Sequence, residues 1–256
     1  MIGLLVLCIG TIIWANLWKN DMRVTDIRVN GNLILTDKDV LSLADIKKEQ
    51  RLFNVDLLAV QNRVVQNAFV KSASVNREVP NRISISVNER VPLAVVALDK
   101  MCYLDTDGIV LPPARSENIF DLPVLTGSLD PANFRLGKEI TDPDVREALG
   151  ILSTAKQLDD GLYRRISEIH IEHGKDIVVY TAEYGIPVIF GHGDIGMKLV
   201  KLDGFWKEIV YHRGANDLDY IDLRFADQVV VRWNKDNERM RASRNGFEKL
   251  QTTKTS

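Results

Sequence analysis

Ile221, Leu223 and Phe225 alternate with Tyr220, Asp222 and Arg224, the period-two pattern of a strand with one buried face. Ala226, Asp227 and Gln228 read as a short turn. Residues 229–233, rich in valine and closed by Trp233, read as the returning strand. Only a polar tail follows, so this hairpin is expected to end the fold and to leave a sheet edge unpaired. An edge strand must be covered, charged or used as a template for a partner. This chain reads as one that offers such a template.

The other end is apolar. Residues 2–18 carry no charge, and seventeen helical residues at ~1.5 Å each span about 25 Å, the short end for crossing a bilayer. Trp14 and Trp18 sit one helical turn apart, where the segment reaches the headgroups. The expectation is a retained transmembrane anchor over residues 1–19. A cleaved signal peptide would carry a basic start and a small-residue cleavage site, neither of which is evident. A buried core helix is the blander rival. Lys19, Arg23 and Arg28 follow the span and only Met1 precedes it, so charge alone would put the body in the cytoplasm.

Between these ends the expected fold class is α+β. Residues 24–29 alternate like a strand, Thr36 and Asp39 form a capping box for a short helix, and a second amphipathic helix starts near Asp56. Residues 70–79 and 82–91 alternate around Pro80 and Asn81 as an antiparallel hairpin. The resulting β-α-α-β-β module, residues 22–91, packs two helices on one face of a three-stranded sheet. A mixed β-rich domain follows over residues 92–233, with strands, two helices and the terminal antiparallel hairpin. Residues 122–127 read as loop, and 234–256 as a disordered polar tail.

The chemistry-bearing motifs are weak. Gly191, Gly193 and Gly196 spell a G-x-G-x-x-G between a strand and a helix, but no βαβ series surrounds them, so a glycine-rich turn is expected instead of a nucleotide site. His170 and His173, three apart on a strand, point to opposite faces with no Cys or third His beside them, and Asp105 to Gly108 is a β-turn before it is a calcium loop. No nucleophile stands beside a base pattern. A net charge of −2 gives no electrostatic reason to bind nucleic acid. Cys8 and Cys102 cannot easily staple one domain. The reading is of no catalytic residue, no metal, no cofactor and no small-molecule substrate.

In order along the chain, the stretches at 27–31, 52–56, 70–80 with 87–92, 103–108 with 122–127, and 220–224 with 229–232 resemble the FtsQ/DivIB family of bacterial cell-division proteins. The first module is similar to the POTRA domain of that family, and the second to its β domain. The resemblance implies a bitopic inner-membrane protein with a periplasmic body, concentrated at the division septum. It implies a scaffold that binds FtsB- and FtsL-like partners and other divisome components, without a catalytic site. It further implies that the last strand accepts a partner strand, at positions matched here by Tyr220, Arg224, Phe225, Asp227, Val229, Val231 and Trp233. Other readings are a POTRA-bearing accessory of outer-membrane assembly or secretion and, from another class, a nucleotide-dependent enzyme using residues 191–196.

Overall fold

The structure, a computed structural model, describes residues 22–98, 100–113 and 120–234, with residues 3, 7 and 9–11 of the N-terminal segment, which are helical. Trp14, Trp18 and the rest of the expected anchor, like the expected tail beyond Asn234, lie outside the described residues. Among the described residues no helix is long and apolar enough to cross a membrane. Two compact units divide the chain, and the boundary falls between Val91 and Pro92.

The first unit runs β1 (Asp26–Asn30), a helix (Asp37–Ala44), a 3₁₀ turn (Leu52–Asn54), a helix (Leu57–Val65), β2 (Val70–Glu78) and β3 (Arg82–Glu89). β3 is central, parallel to β1 and antiparallel to β2. Local chemistry starts each helix. Thr36 and Asp39 exchange side-chain and backbone bonds in a capping box, and the Asp56 carboxylate accepts from the Ala59 N–H. Val40 and Ala44 on one helix, and Val60 and Val64 on the other, recur every four residues and so share a face. They meet Ala73 and Val75 of β2 and Ile83, Ile85 and Val87 of β3, which recur every two. Each large aliphatic buried this way contributes roughly 1.5–3 kcal/mol. The buried Glu89 carboxylate is satisfied by the backbone N–H groups of Leu33, Ile34 and Leu35, at 2.9, 2.6 and 3.0 Å.

The second unit is one nine-stranded sheet. Its strands are β4 (Pro92–Val96), β5 (Cys102–Asp105), β6 (Val110–Leu111), β7 (Val124–Gly127), β8 (Ile166–Ile171), β9 (Val178–Thr181), β10 (Pro187–Ile189), β11 (Leu218–Asp222) and β12 (Val230–Trp233). Their spatial order is β12-β11-β10-β9-β8-β7-β4-β5-β6. The pairs β4–β7, β7–β8 and β10–β11 are parallel. Parallel neighbours need a crossover. Helix Pro143–Leu158 supplies the one between β7 and β8. Between β10 and β11 it is helix Ile195–Phe205, continued through a π-helical turn (Trp206–Val210) to Arg213. Phe190, Ile151, Leu152, Leu199 and Trp206 are fully or almost fully buried against the sheet. Cys102 is free and buried, and desolvation pushes its thiol up to about 11, so it stays protonated.

Two expectations are corrected here. Residues 122–127 are not loop throughout, because Val124–Gly127 forms β7, an interior strand between β4 and β8. Pro123 and Gly127 bracket too short an apolar run for periodicity to register. Gly127 adopts φ +103°, and a Cβ there would stand 1.9 Å from the Ile171 carbonyl oxygen. The absence of any βαβ arrangement around residues 191–196 is also overturned, since β10, its helix and β11 form one.

Gly127→Ala is therefore expected to destabilise the second unit by about 3 kcal/mol or more, since strain and clash combine. Gly137→Ala, at φ +71° with open space around it, should cost only about 1–2 kcal/mol. Urea denaturation of the two variants checks this, and equal losses would contradict it.

Candidate docking edge

β12 is the last strand of the sheet. It pairs antiparallel with β11 on one side, and among the described residues no strand pairs with the other. The Asn234 N–H donates to the Asp217 carbonyl at 2.7 Å, which makes the facing Leu218 and Trp233 a non-hydrogen-bonded pair. Backbone direction alternates along a strand. The N–H and C=O groups of Trp233 and Val231 therefore turn away from β11, while those of Arg232 and Val230 face it. The opposite sheet edge is treated differently. There the Val110 N–H donates to the Lys138 carbonyl and the Gly137 N–H to the Val110 carbonyl, at 2.9 and 2.8 Å, so the chain covers β6 itself.

Each residue matched to the family's binding strand falls on this hairpin. Tyr220 is half-buried in β11 opposite Arg232. Phe225 is 46% exposed and Asp227 is exposed, both in the connection between the strands. Val229, Val231 and Trp233 are partly buried against the core. The Arg213 guanidinium lies 3.8 Å from the centroid of the Trp233 ring, a cation–π contact that ties the end of β12 to the end of the long helix. Lys201 Nζ, from the same helix, donates to the carbonyls of Phe225 and Ala226 at 2.9 Å each.

β11 stops at Asp222 instead of running on to Phe225, and Arg224 is the cause. Its backbone N–H returns to Asp222 Oδ1 at 3.0 Å. Its Nε donates to both carboxylate oxygens at 3.0 and 3.2 Å, and Nη2 to Oδ2 at 2.6 Å. Nη1 reaches Asp176 Oδ2 at 2.8 Å. Asp222 is 4% exposed, and the Arg224 guanidinium holds its carboxyl below the usual carboxylate range, against the opposing effect of burial. The guanidinium is correspondingly raised by its two carboxylates. Arg224 thus has a local duty that sequence alone does not reveal, while about half its side chain still faces solvent. Gly191 makes room for it: at φ +67°, a Cβ there would meet Arg224 Cγ at 2.9 Å.

With this geometry in view, comparison with known proteins decides the family. Residues 22–90 match the POTRA domain, FtsQ-type, and residues 94–224 match the C-terminal domain of cell division protein FtsQ/DivIB. The chain is 32% identical over 238 residues to the cell division protein FtsQ of Rhodothermus marinus, covering 90% of this chain and 84% of that one. It is 30% identical over 211 residues to the protein of the same name from Geobacter sp. strain M21, covering 82% and 76%. The chain belongs to the FtsQ/DivIB family of cell division proteins.

In this FtsQ/DivIB chain the glycine motif has an occupant of its own. Glu147, from helix Pro143–Leu158, accepts from the Gly193 N–H at 2.6 Å and stands 2.7 Å from His192 Nδ1. A carboxylate thus takes the place at the start of helix Ile195–Phe205 that a phosphate would need. The hydrogen bond to Glu147 raises the His192 pKa. His170 and His173 part company. His170 Nδ1 meets Thr126 Oγ1 at 2.9 Å, whereas His173 Nδ1 meets Asp144 Oδ2 at 2.9 Å. His173, Asp142 and Asp144 place ligand-type atoms within 4.8 Å of one another, but Asp142 is already capping its helix through the N–H groups of Asp144 and Val145. The Asp105 turn closes on itself, its carboxylate accepting from the N–H groups of Asp107 and Ile109 at 3.0 and 2.8 Å.

The depressed Asp222 pKa contributes stability above the unfolded carboxyl value, near 3.9, and that contribution is lost as pH falls through the folded value. Arg224→Ala should therefore destabilise this chain at neutral pH, and the deficit against the parent should shrink on acidification below about pH 4. Thermal melts across pH check it; a deficit independent of pH would contradict the assignment.

Proposed function

We propose that this chain is a membrane-anchored scaffold of the division machinery, joining early and late components during septum assembly without catalysing a reaction. One observation carries the reading. At the sheet edge formed by β12, the backbone groups of Val231 and Trp233 point outward, while the chain covers the opposite edge itself. A partner strand laid antiparallel along β12 would satisfy them, and backbone pairing is sequence-tolerant enough to supply affinity while side chains select. The rim fits that role. Phe225 offers an exposed ring, Trp233 ends the strand, Tyr220 lies beside it in β11, and the exposed part of Arg224 suits an acidic side chain of the partner.

The partners in this reading are FtsB- and FtsL-like division proteins, as the family resemblance implies. The uncharged run at residues 2–18 supplies the transmembrane anchor, with Trp14 and Trp18 at the headgroups. The same resemblance favours a periplasmic body at the septum over the cytoplasmic one that charge alone would give. Within the body, residues 22–91 localise the protein and residues 92–233 dock the partner. That Glu147 already fills the helix start at residues 191–196 supports a binding module over a nucleotide-dependent enzyme.

Val231→Pro separates docking from folding. Proline at 231 removes an outward N–H and leaves the β11 ladder whole, and edge strands tolerate it there. Co-purification of FtsB- and FtsL-like partners from membranes should fall by at least about tenfold, or ~1.4 kcal/mol, with the melting temperature nearly unchanged. Undiminished co-purification would contradict the site.

A further inference from the structure

The first unit carries a patch of charge that its own packing does not use. Residues 22–24 pair antiparallel with residues 49–52: the Val24 N–H donates to the Gln50 carbonyl, the Glu49 N–H to the Val24 carbonyl and the Leu52 N–H to the Met22 carbonyl, at 2.9, 2.9 and 2.8 Å. Arg23 and Arg51 are bridge partners at the centre of this ladder. The flanking bonds make them a non-hydrogen-bonded pair, the closest cross-strand arrangement, with both side chains on one face. Like charges directly opposite each other are destabilising unless something anionic lies over them. Lys47 and Lys48 immediately precede the 49–52 side of the ladder, and all four cations are exposed. Glu49 is the one carboxylate within residues 47–51 and 22–24. Among the described residues none of the four cations is ion-paired, and Arg23 reaches only the Glu49 carbonyl, at 2.9 Å.

What lies opposite follows from chain length. Met22 is four residues beyond Trp18, the last residue of the uncharged run. Four residues reach at most about 14 Å. We propose that Arg23, Lys47, Lys48 and Arg51 form a basic collar that rests on anionic lipid headgroups of the membrane holding the anchor. This rests on the anchored reading above. The tether keeps the collar at high local concentration over the bilayer, and juxtamembrane clusters of this size act on anionic lipid within about a Debye length. An acidic protein could also meet such a patch, but only the bilayer is delivered to it by the chain itself. The collar would limit how freely the first unit swings about its tether.

The test uses the full chain in lipid nanodiscs, one set of phosphatidylcholine alone and one with about 30% phosphatidylglycerol. Amide exchange over residues 45–51 should be roughly threefold slower or more in the anionic discs, and about 0.5 M salt should abolish the difference. The triple variant Lys47→Gln, Lys48→Gln, Arg51→Gln should show no lipid dependence while keeping its melting temperature. Equal exchange in the two lipids, or a triple variant that keeps the difference, would overturn the collar. Alkaline carbonate extraction of membranes separates this from the anchor: a chain released without detergent sinks the anchor and the collar together. One that stays embedded but exchanges identically in both lipids sinks the collar alone.

Discussion

Backbone N–H and C=O groups at the rim of a sheet have to be satisfied by something, and a nine-stranded sheet presents two rims. The second unit resolves them in opposite ways. At β6 the chain returns as residues 137–140 and supplies its own bonds. At β12 the outward groups of Val231 and Trp233 belong to the last described strand. In the proposed reading a partner strand satisfies that side, and the restraints on the hairpin would hold the edge ready for it.

Readiness means that the hairpin is held before any partner arrives. Lys201 pins the Phe225 and Ala226 carbonyls, Arg213 stacks on Trp233, and Arg224 binds Asp222 and Asp176 at once. These restraints come from the β10–β11 crossover helix or from the neighbouring strands and loops, so the edge is an extension of the core. A preformed edge loses less conformational entropy on binding than a loose loop would. Gly191 has its place in the same logic, since only a glycine there leaves space for Arg224. Two positions of the G-x-G-x-x-G pattern thus have local reasons, Gly191 giving room to Arg224 and Gly193 combining a positive φ with an N–H bound by Glu147, while nothing in the structure explains Gly196.

Much of the architecture was legible from local rules. The capping box at Thr36, the Asp56 cap and the hairpin around Pro80 and Asn81 each carry a signal within a few residues, and β-α-α-β-β follows from them. β7 carries little local signal because Val124–Gly127 holds one fully buried residue, Leu125, between a proline and a glycine. β11 ends early because Arg224 folds back on Asp222, a side-chain event that alternation cannot show. The parallel pairing of β10 with β11 is likewise non-local. In the candidate site, the hairpin was legible, but the internal duty of Arg224 was not, since Asp176 lies 48 positions away. The basic collar was hidden for the same reason: Arg23 and Arg51 meet only once the chain is folded.

The central claim is that β12 is a docking strand, and residue-resolved amide exchange of the full chain with and without its division partners tests it most directly. The account predicts that the Val231 and Trp233 amides become strongly protected on binding, while Arg232, which faces β11, changes little. Protection elsewhere on the surface, with Val231 and Trp233 exchanging as in the free protein, would contradict it.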